Sequence, residues 1–138
     1  MVTEAGMVEQ AAERVATTHV ACLCAAWCRL CDDYRAVQEQ VAREFAEAGV
    51  DLQWHWVDIE DDADLLGEVD VETFPTLVVA AADTVRFAGP VLPHADVLRR
   101  MLRACTVEAE AGTRWPVVDA ATLKFAERLL KRPDDSPG

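Results

Sequence analysis

The stretch that decides the fold is CLCAAWCRLCDDY, residues 22–34, which holds four of the five cysteines of this 138-residue chain. The apolar run that leads into it predicts a buried strand, and the apolar spacing after it predicts a long helix. Cys28 and Cys31 therefore lie where a strand ends and a helix begins. Four cysteines so close together in the sequence could form a structural disulfide, hold a metal ion or carry out redox chemistry.

The start of a helix favours the redox interpretation. Unpaired backbone N–H groups and the helix dipole stabilise an anion there, and the thiolate is the form of cysteine that attacks disulfides. Arg29 adds a positive charge beside Cys28. Cys31 follows one helical turn later, close enough to Cys28 to close a small disulfide ring and to resolve a mixed disulfide. We therefore predict that Cys28 is the more exposed, nucleophilic cysteine and that Cys31 is the buried, resolving one.

The other two interpretations have less support in the sequence. The N-terminus has neither a basic start nor an apolar run, so we expect no secretory signal and a reducing cytoplasm, where structural disulfides are rare. An odd number of cysteines also argues against a fully paired framework. A zinc or iron–sulfur site would need Cys22 and Cys24 to converge with the helix cysteines, and we predict no metal. We interpret Cys22, Cys24 and Cys105 as small, buried, apolar side chains.

Composition narrows the choice of partners. The net charge is −12, from 25 acidic and 13 basic residues, and such a chain is repelled by nucleic acids and by anionic membranes. No apolar stretch is long enough for a transmembrane helix. The sequence has no phosphate-binding loop and no dinucleotide fingerprint, so we expect no bound cofactor. Electrons would then come from a protein or a small thiol.

Hydrophobic periodicity predicts an α/β domain with a C-terminal extension. The predicted elements are, in order, a helix within 4–17, a strand from 19, a helix over 28–48, a strand over 50–60, a short helix from 61 or 62 to 69, strands over 75–82 and 84–88, and a helix over 95–105. The early alternation implies parallel strands, and the close pair around Ala82–Asp83 implies a hairpin, which gives a mixed sheet of about four strands flanked by helices. We assign residues 1–106 to this domain and residues 107–138 to the extension. In the extension we predict a helix over 119–131, capped by Asp119, and a frayed tail.

Three motifs then resemble one family. AAWCRLC after an apolar strand resembles the Trp-Cys-x-x-Cys active site of the thioredoxin family. TFPTLVV resembles that family's cis-proline loop, with Pro75 in the cis position and Thr73 and Phe74 beside the active site. FAGP matches the family's glycine after the hairpin, with Gly89 in that place. The resemblance runs from about residue 5 to residue 105.

The resemblance implies a thioredoxin-like fold and an atypical protein disulfide reductase, which exchanges disulfides with protein substrates. It implies that Cys28 and Cys31 are the catalytic pair. The residues that it places at the substrate groove are Trp27, Arg29, Leu30, Thr73, Phe74 and Pro75. The implied partners are disulfide-containing proteins and a thiol or flavoprotein reductase, and we expect a monomer.

The sequence also departs from the pattern of the family. Arg29 and Leu30 stand between the cysteines, where typical thioredoxins have Gly-Pro. Cys22 stands where the family has a buried Asp that serves proton exchange with the resolving cysteine, and Cys24 stands where many relatives have Trp. Trp56 is the best match to the Lys that accompanies this Asp. These departures leave open an alternative, a binding or redox-sensing module of the same fold with low turnover.

Overall fold

The computed structural model describes residues 17–81, 84–109 and 112–132. Its strands are β1 (Thr18–Cys24), β2 (Leu52–Asp58), β3 (Thr76–Ala81) and β4 (Thr84–Pro90), and its helices are α1 (Arg29–Glu47), α2 (Ala63–Leu66), α3 (Ala95–Cys105) and α4 (Ala120–Leu130). The helix predicted within 4–17, the turn at Ala82–Asp83 and residues 133–138 of the predicted tail lie outside the described residues. No helix in these ranges is long and apolar enough to cross a lipid bilayer.

The strands form one mixed sheet in the order β2-β1-β3-β4. Strand β1 pairs with β2 in parallel and with β3 antiparallel, and β3 and β4 form the antiparallel hairpin. The predicted mixed, four-stranded sheet is therefore confirmed. All seven residues of β1 are buried, because β1 is a central strand whose two faces are both covered. This explains why its sequence reads as a continuous apolar run rather than as an alternation.

Helices α1 and α3 cover one face of the sheet. The apolar positions of α1 recur at three- and four-residue steps, so they form one stripe that packs on the strands. An ion pair joins the two helices, since the Arg99 guanidinium donates to the two carboxylate oxygens of Glu44 at 2.7 and 3.1 Å. The buried core on this face includes Tyr34, Val41, Phe45, Leu77, Val79, Leu98 and Leu102.

Helix α4 covers the opposite face, which makes part of the C-terminal extension a component of the core. Phe125 and Leu129 are completely buried, and they pack with Leu23 and Val78 of the sheet in a second core cluster. Asp119 begins the helix as predicted, because its side chain accepts a hydrogen bond of 2.8 Å from a backbone N–H group in the first turn. The boundary between residues 106 and 107 stays a prediction.

Helix α2 is shorter than the sequence predicts. It was expected to continue to Val69, but it spans only Ala63–Leu66. Its last carbonyl groups accept hydrogen bonds from a side chain of α4, since Arg128 donates to Leu65 at 2.8 Å and to Leu66 at 3.2 Å. A charged partner from another helix thus takes the carbonyl groups that a further turn of α2 would have used.

Candidate functional site

The site begins where β1 passes into α1. Strand β1 ends at Cys24, and a tight turn follows in which the Cys28 N–H donates to the carbonyl of Ala25 at 3.0 Å. Cys28 is the N-cap of α1, and its own carbonyl accepts from the N–H groups of Cys31 at 3.1 Å and of Asp32 at 3.3 Å. Cys28 therefore lies at the positive end of a 19-residue helix, as the sequence predicts.

The two motif cysteines differ in exposure in the predicted direction. Cys28 is partly exposed, whereas Cys31 is only 1% exposed and faces the core. Trp27 and Leu30 stand on either side of Cys28 in the sequence, and their exposed fractions are 66% and 49%. The partly exposed Cys28 therefore lies between two exposed apolar side chains in the sequence.

Cys31 is joined to Cys24 by a disulfide bond, and Cys28 is a free thiol. The expected ring between Cys28 and Cys31 is therefore not the disulfide that the structure contains. Cys24 is buried, as predicted, but the interpretation of it as only an apolar side chain is wrong, because it is bonded to Cys31, with the two Cα atoms 5.9 Å apart. The role of Cys28 and Cys31 as the catalytic pair stays a prediction.

Cys22 lies next to this disulfide on the same face of β1. Its Sγ atom is 3.3 Å from the Sγ atom of Cys24, and its side chain is 1% exposed. Burial raises the pKa of Cys22 to about 12, so it remains a protonated thiol at neutral pH. Cys105, on α3, is also buried, as predicted, and burial raises its pKa to about 11.

Four cysteines thus converge at the start of α1. Cys22, Cys24 and Cys31 belong to one buried cluster, and Cys28 packs against it from the solvent side. Within the part of the chain that the structure describes, no three His, Cys, Asp or Glu side chains are placed so that they could hold a metal ion. The chemistry that this arrangement supports is exchange of a disulfide among neighbouring sulfurs.

The loop before β3 brings the second motif to the cysteines. The Phe74–Pro75 peptide bond is cis, the geometry that the resemblance implies. The ring of Phe74 meets that of Trp27 edge to face, with ring centroids 5.5 Å apart. Pro75 is buried, and its carbonyl accepts a 3.1 Å hydrogen bond from the N–H of Val91. The loop and the cysteine turn therefore form one continuous surface.

The remaining predicted groove residues are exposed. Arg29 and Leu30 lie on the first turn of α1, and Thr73 lies in the loop before β3. Their side chains are accessible to a partner.

Arg35 is a site residue that the sequence reasoning missed. Its guanidinium carbon lies 4.6 Å from the ring centroid of Trp56, a residue of β2. Arg35 also acts electrostatically on Cys22, whose pKa it lowers against the larger effect of burial. Its position four residues, or about one turn, after Cys31 was the available signal, because that spacing places both side chains on one side of α1.

Comparison with known proteins identifies the family of this fold. The sequence profile described as Thioredoxin matches residues 5–99. A search of curated proteins finds no match.

Several solved structures have a similar fold. The germline-specific thioredoxin Deadhead of Drosophila melanogaster is 15% identical, with a TM-score of 0.56, over 71% of this chain and 90% of that chain. Thioredoxin from Trypanosoma brucei brucei is 24% identical, with a TM-score of 0.53, over 70% of this chain and 83% of that chain. Human ERp44 is 16% identical, with a TM-score of 0.55, over 66% of this chain but only 28% of that chain. At these identities the likeness is one of fold.

Proposed function

This chain belongs to the thioredoxin family, and on that premise we propose that it is a thiol–disulfide oxidoreductase that acts on protein substrates. The family and the cysteine-rich turn support a redox type of function. The observation that carries the proposal is the partly exposed free thiol of Cys28, which is the N-cap residue of α1 and lies beside Trp27, whose ring meets Phe74 of the cis-proline loop. An attacking sulfur needs this combination of access and a nearby positive helix end.

The proposed reaction takes place in two exchanges. The Cys28 thiolate attacks one sulfur of a client disulfide, and the other client sulfur leaves as a thiolate with the electron pair of the broken bond. The Cys31 thiolate then attacks the Cys28 sulfur of this mixed disulfide and releases the second client thiol. The client has gained two electrons, and the chain holds a Cys28–Cys31 disulfide. A small dithiol or a flavoprotein reductase returns the two electrons.

The exposed surface around Cys28 supports a protein client. Trp27 and Leu30 supply exposed apolar contact area, and in the proposed complex an extended client peptide pairs with the backbone before Pro75. Arg29 and Thr73 are also exposed, so they are accessible to the client.

As part of the proposal we place the activity in a monomer in the cytoplasm.

Insulin reduction by dithiothreitol tests the proposal. The wild-type chain should accelerate precipitation of the insulin B chain, and Cys28→Ser should lower the rate to that of dithiothreitol alone. Cys105→Ser is the matched control, because it also removes one thiol, but from a buried position on α3. Catalysis that survives Cys28→Ser would overturn the assignment.

The Cys24–Cys31 disulfide favours a second candidate, the binding or sensing module with low turnover. While Cys31 is held by Cys24, it cannot resolve a mixed disulfide on Cys28. A Cys31→Ser chain separates the two candidates, because its mixed disulfides persist. An oxidoreductase should accumulate many different clients on Cys28, whereas a dedicated module should hold one or none.

A further inference from the structure

We propose that Cys24 is a third redox-active cysteine, which shares Cys31 with Cys28, so that a buried Cys24–Cys31 disulfide and an accessible Cys28–Cys31 disulfide interconvert. This inference rests on the proposed function, in which Cys28 is the nucleophile. It adds a form of regulation, since only one of the two oxidised isomers presents its disulfide to a partner.

Cys31 has a cysteine neighbour on each side. Towards the sheet it is bonded to Cys24, with the Cα atoms 5.9 Å apart. Towards solvent, one backbone hydrogen bond of 3.1 Å between the Cys31 N–H and the Cys28 carbonyl closes the turn that joins the two residues. Cys28 packs against the cluster that contains both disulfide sulfurs. Cys31 can form only one disulfide at a time, so the two neighbours compete for it.

The exchange is balanced within the chain. The Cys28 thiolate attacks the Cys31 sulfur, a Cys28–Cys31 bond forms, and the Cys24–Cys31 bond breaks. The Cys24 sulfur leaves with the electron pair and takes up one proton, which replaces the proton that Cys28 lost. The number of disulfides does not change, so the step needs neither an oxidant nor a reductant.

Cys22 is placed to assist the departure of Cys24. Its sulfur is 3.3 Å from that of Cys24, within reach of an S–H···S hydrogen bond to the leaving thiolate. Burial keeps Cys22 protonated, with its pKa raised to about 12, so a donor is present at neutral pH. A buried thiolate without such a donor would be costly.

The exchange decides what Cys28 can do. When Cys24 holds Cys31, Cys28 is a free thiol that can bind a client covalently but has no resolving partner. When Cys28 holds Cys31, the disulfide lies at the accessible turn, where a dithiol can reduce it. Cys24 thus sets the fraction of oxidised protein that takes part in turnover.

Thiol counting on the full chain tests the proposal. Wild type and variants are oxidised in a glutathione buffer, quenched in acid, denatured and alkylated. The intact mass then gives the number of alkylated thiols and shows that no glutathione is attached. With five cysteines in the chain, we expect three thiols in oxidised wild type. Cys28→Ser and Cys24→Ser should each keep one disulfide and therefore show two thiols, whereas Cys31→Ser should show four. Cys24→Ala serves as a second variant in case Ser is not tolerated at this buried site.

Peptide mapping identifies the linkages in wild type. Cleavage after Arg29 separates Cys31 from both of its candidate partners, and fragmentation of the linked peptide shows whether Cys24 or Cys28 carries it. We expect both linkages in acid-quenched wild type. When iodoacetamide is added to the oxidised native protein, it should alkylate Cys28. Because alkylated Cys28 can no longer bond to Cys31, all molecules should then contain the Cys24–Cys31 disulfide. Four thiols in Cys28→Ser, a single linkage in wild type, or a Cys28–Cys31 fraction that persists under alkylation would each overturn the proposal.

These results are independent of the insulin assay. Wild type that reduces insulin, together with four thiols in Cys28→Ser, would refute the sharing of Cys31 and leave the proposed function intact. Two interconverting linkages in a chain that does not reduce insulin would refute the proposed function and leave the exchange established.

Discussion

Removing the Phe125 ring tests whether α4 is an integral part of the fold. The ring is completely buried, in a cluster to which the sheet contributes Leu23 and Val78. Truncation of a buried Phe to Ala costs about 3–5 kcal/mol, because transfer free energy is lost and a cavity remains. A domain of this kind has a total stability of about 5–15 kcal/mol. Phe125→Ala should therefore remove a large share of the free energy of unfolding.

Urea denaturation followed by far-ultraviolet circular dichroism measures this loss. The protein should be kept reduced, so that the Cys24–Cys31 disulfide does not contribute to the difference between variants. With an m-value of about 1–3 kcal/mol per molar urea, a loss of about 3–5 kcal/mol should lower the midpoint by about 1–5 M while m stays the same.

Leu123→Ala is the matched control. Leu123 lies on the same helix but is 43% exposed, so the same kind of truncation leaves no cavity in the core. We expect this control to change the free energy of unfolding by less than about 1 kcal/mol. Equal, small losses in Phe125→Ala and Leu123→Ala would show that α4 is not docked on the sheet in solution, and the reasoning would fail.

Three further predictions concern acid stability, thiol reactivity and the client surface. Two backbone N–H groups donate to the Asp58 carboxylate at 2.8 and 2.9 Å and lower its pKa. The stability that Asp58 contributes is therefore complete above its unfolded pKa and is lost as pH falls through its lower folded pKa. The free energy of unfolding should fall more steeply from pH 5 to pH 2 in wild type than in Asp58→Asn, and equal slopes would contradict this. In reduced native protein at pH 8, N-ethylmaleimide should label Cys28 far faster than Cys22. With a pKa of about 12, only about one Cys22 side chain in ten thousand is a thiolate at this pH. Similar labelling rates would count against the burial of Cys22. Trp27→Ala removes an exposed aromatic ring beside Cys28, and the loss of an aromatic contact with the client, worth about 0.5–1.5 kcal/mol, should lower kcat/KM for insulin about 2- to 10-fold. An equal loss with a small aromatic disulfide would argue against a role in client binding.

The sequence predicted those features of the fold that depend on which face of an element is buried. The apolar run of β1 indicated a buried strand, and the spacing of Tyr34, Val41 and Phe45 indicated the buried stripe of α1. For α4 the pattern predicted an apolar face of Leu123, Ala126, Leu129 and Leu130; Ala126 and Leu129 are buried, whereas Leu123 is exposed and Phe125, which was not placed on that face, is completely buried. The pattern did not show what that face covers, because periodicity gives the direction of side chains within one element and not the neighbour that they meet.

The pairing of Cys24 with Cys31 could not be read from spacing. The two residues are separated by the end of a strand, a tight turn and the first turn of a helix. The number of residues between them does not fix how the chain folds back over that path, and cysteine connectivity is not determined by sequence alone. The motif spacing described the route from Cys28 to Cys31 along the helix, whereas the contact with Cys24 crosses from the helix to the sheet.

The departures from the family pattern gain a common explanation from this contact. Cys22 and Cys24 replace a buried Asp and a Trp, and both lie on the face of β1 that meets Cys31. A buried carboxylate can exchange protons with the resolving thiol, whereas a thiol whose pKa is about 12 holds its proton and can only donate a hydrogen bond. Cys24 lies next to this donor, Cys22, and it holds or releases Cys31 by forming or breaking a disulfide with it. Replacement of a proton-exchanging group by a sulfur pair therefore changes how Cys31 is controlled, from protonation to disulfide exchange.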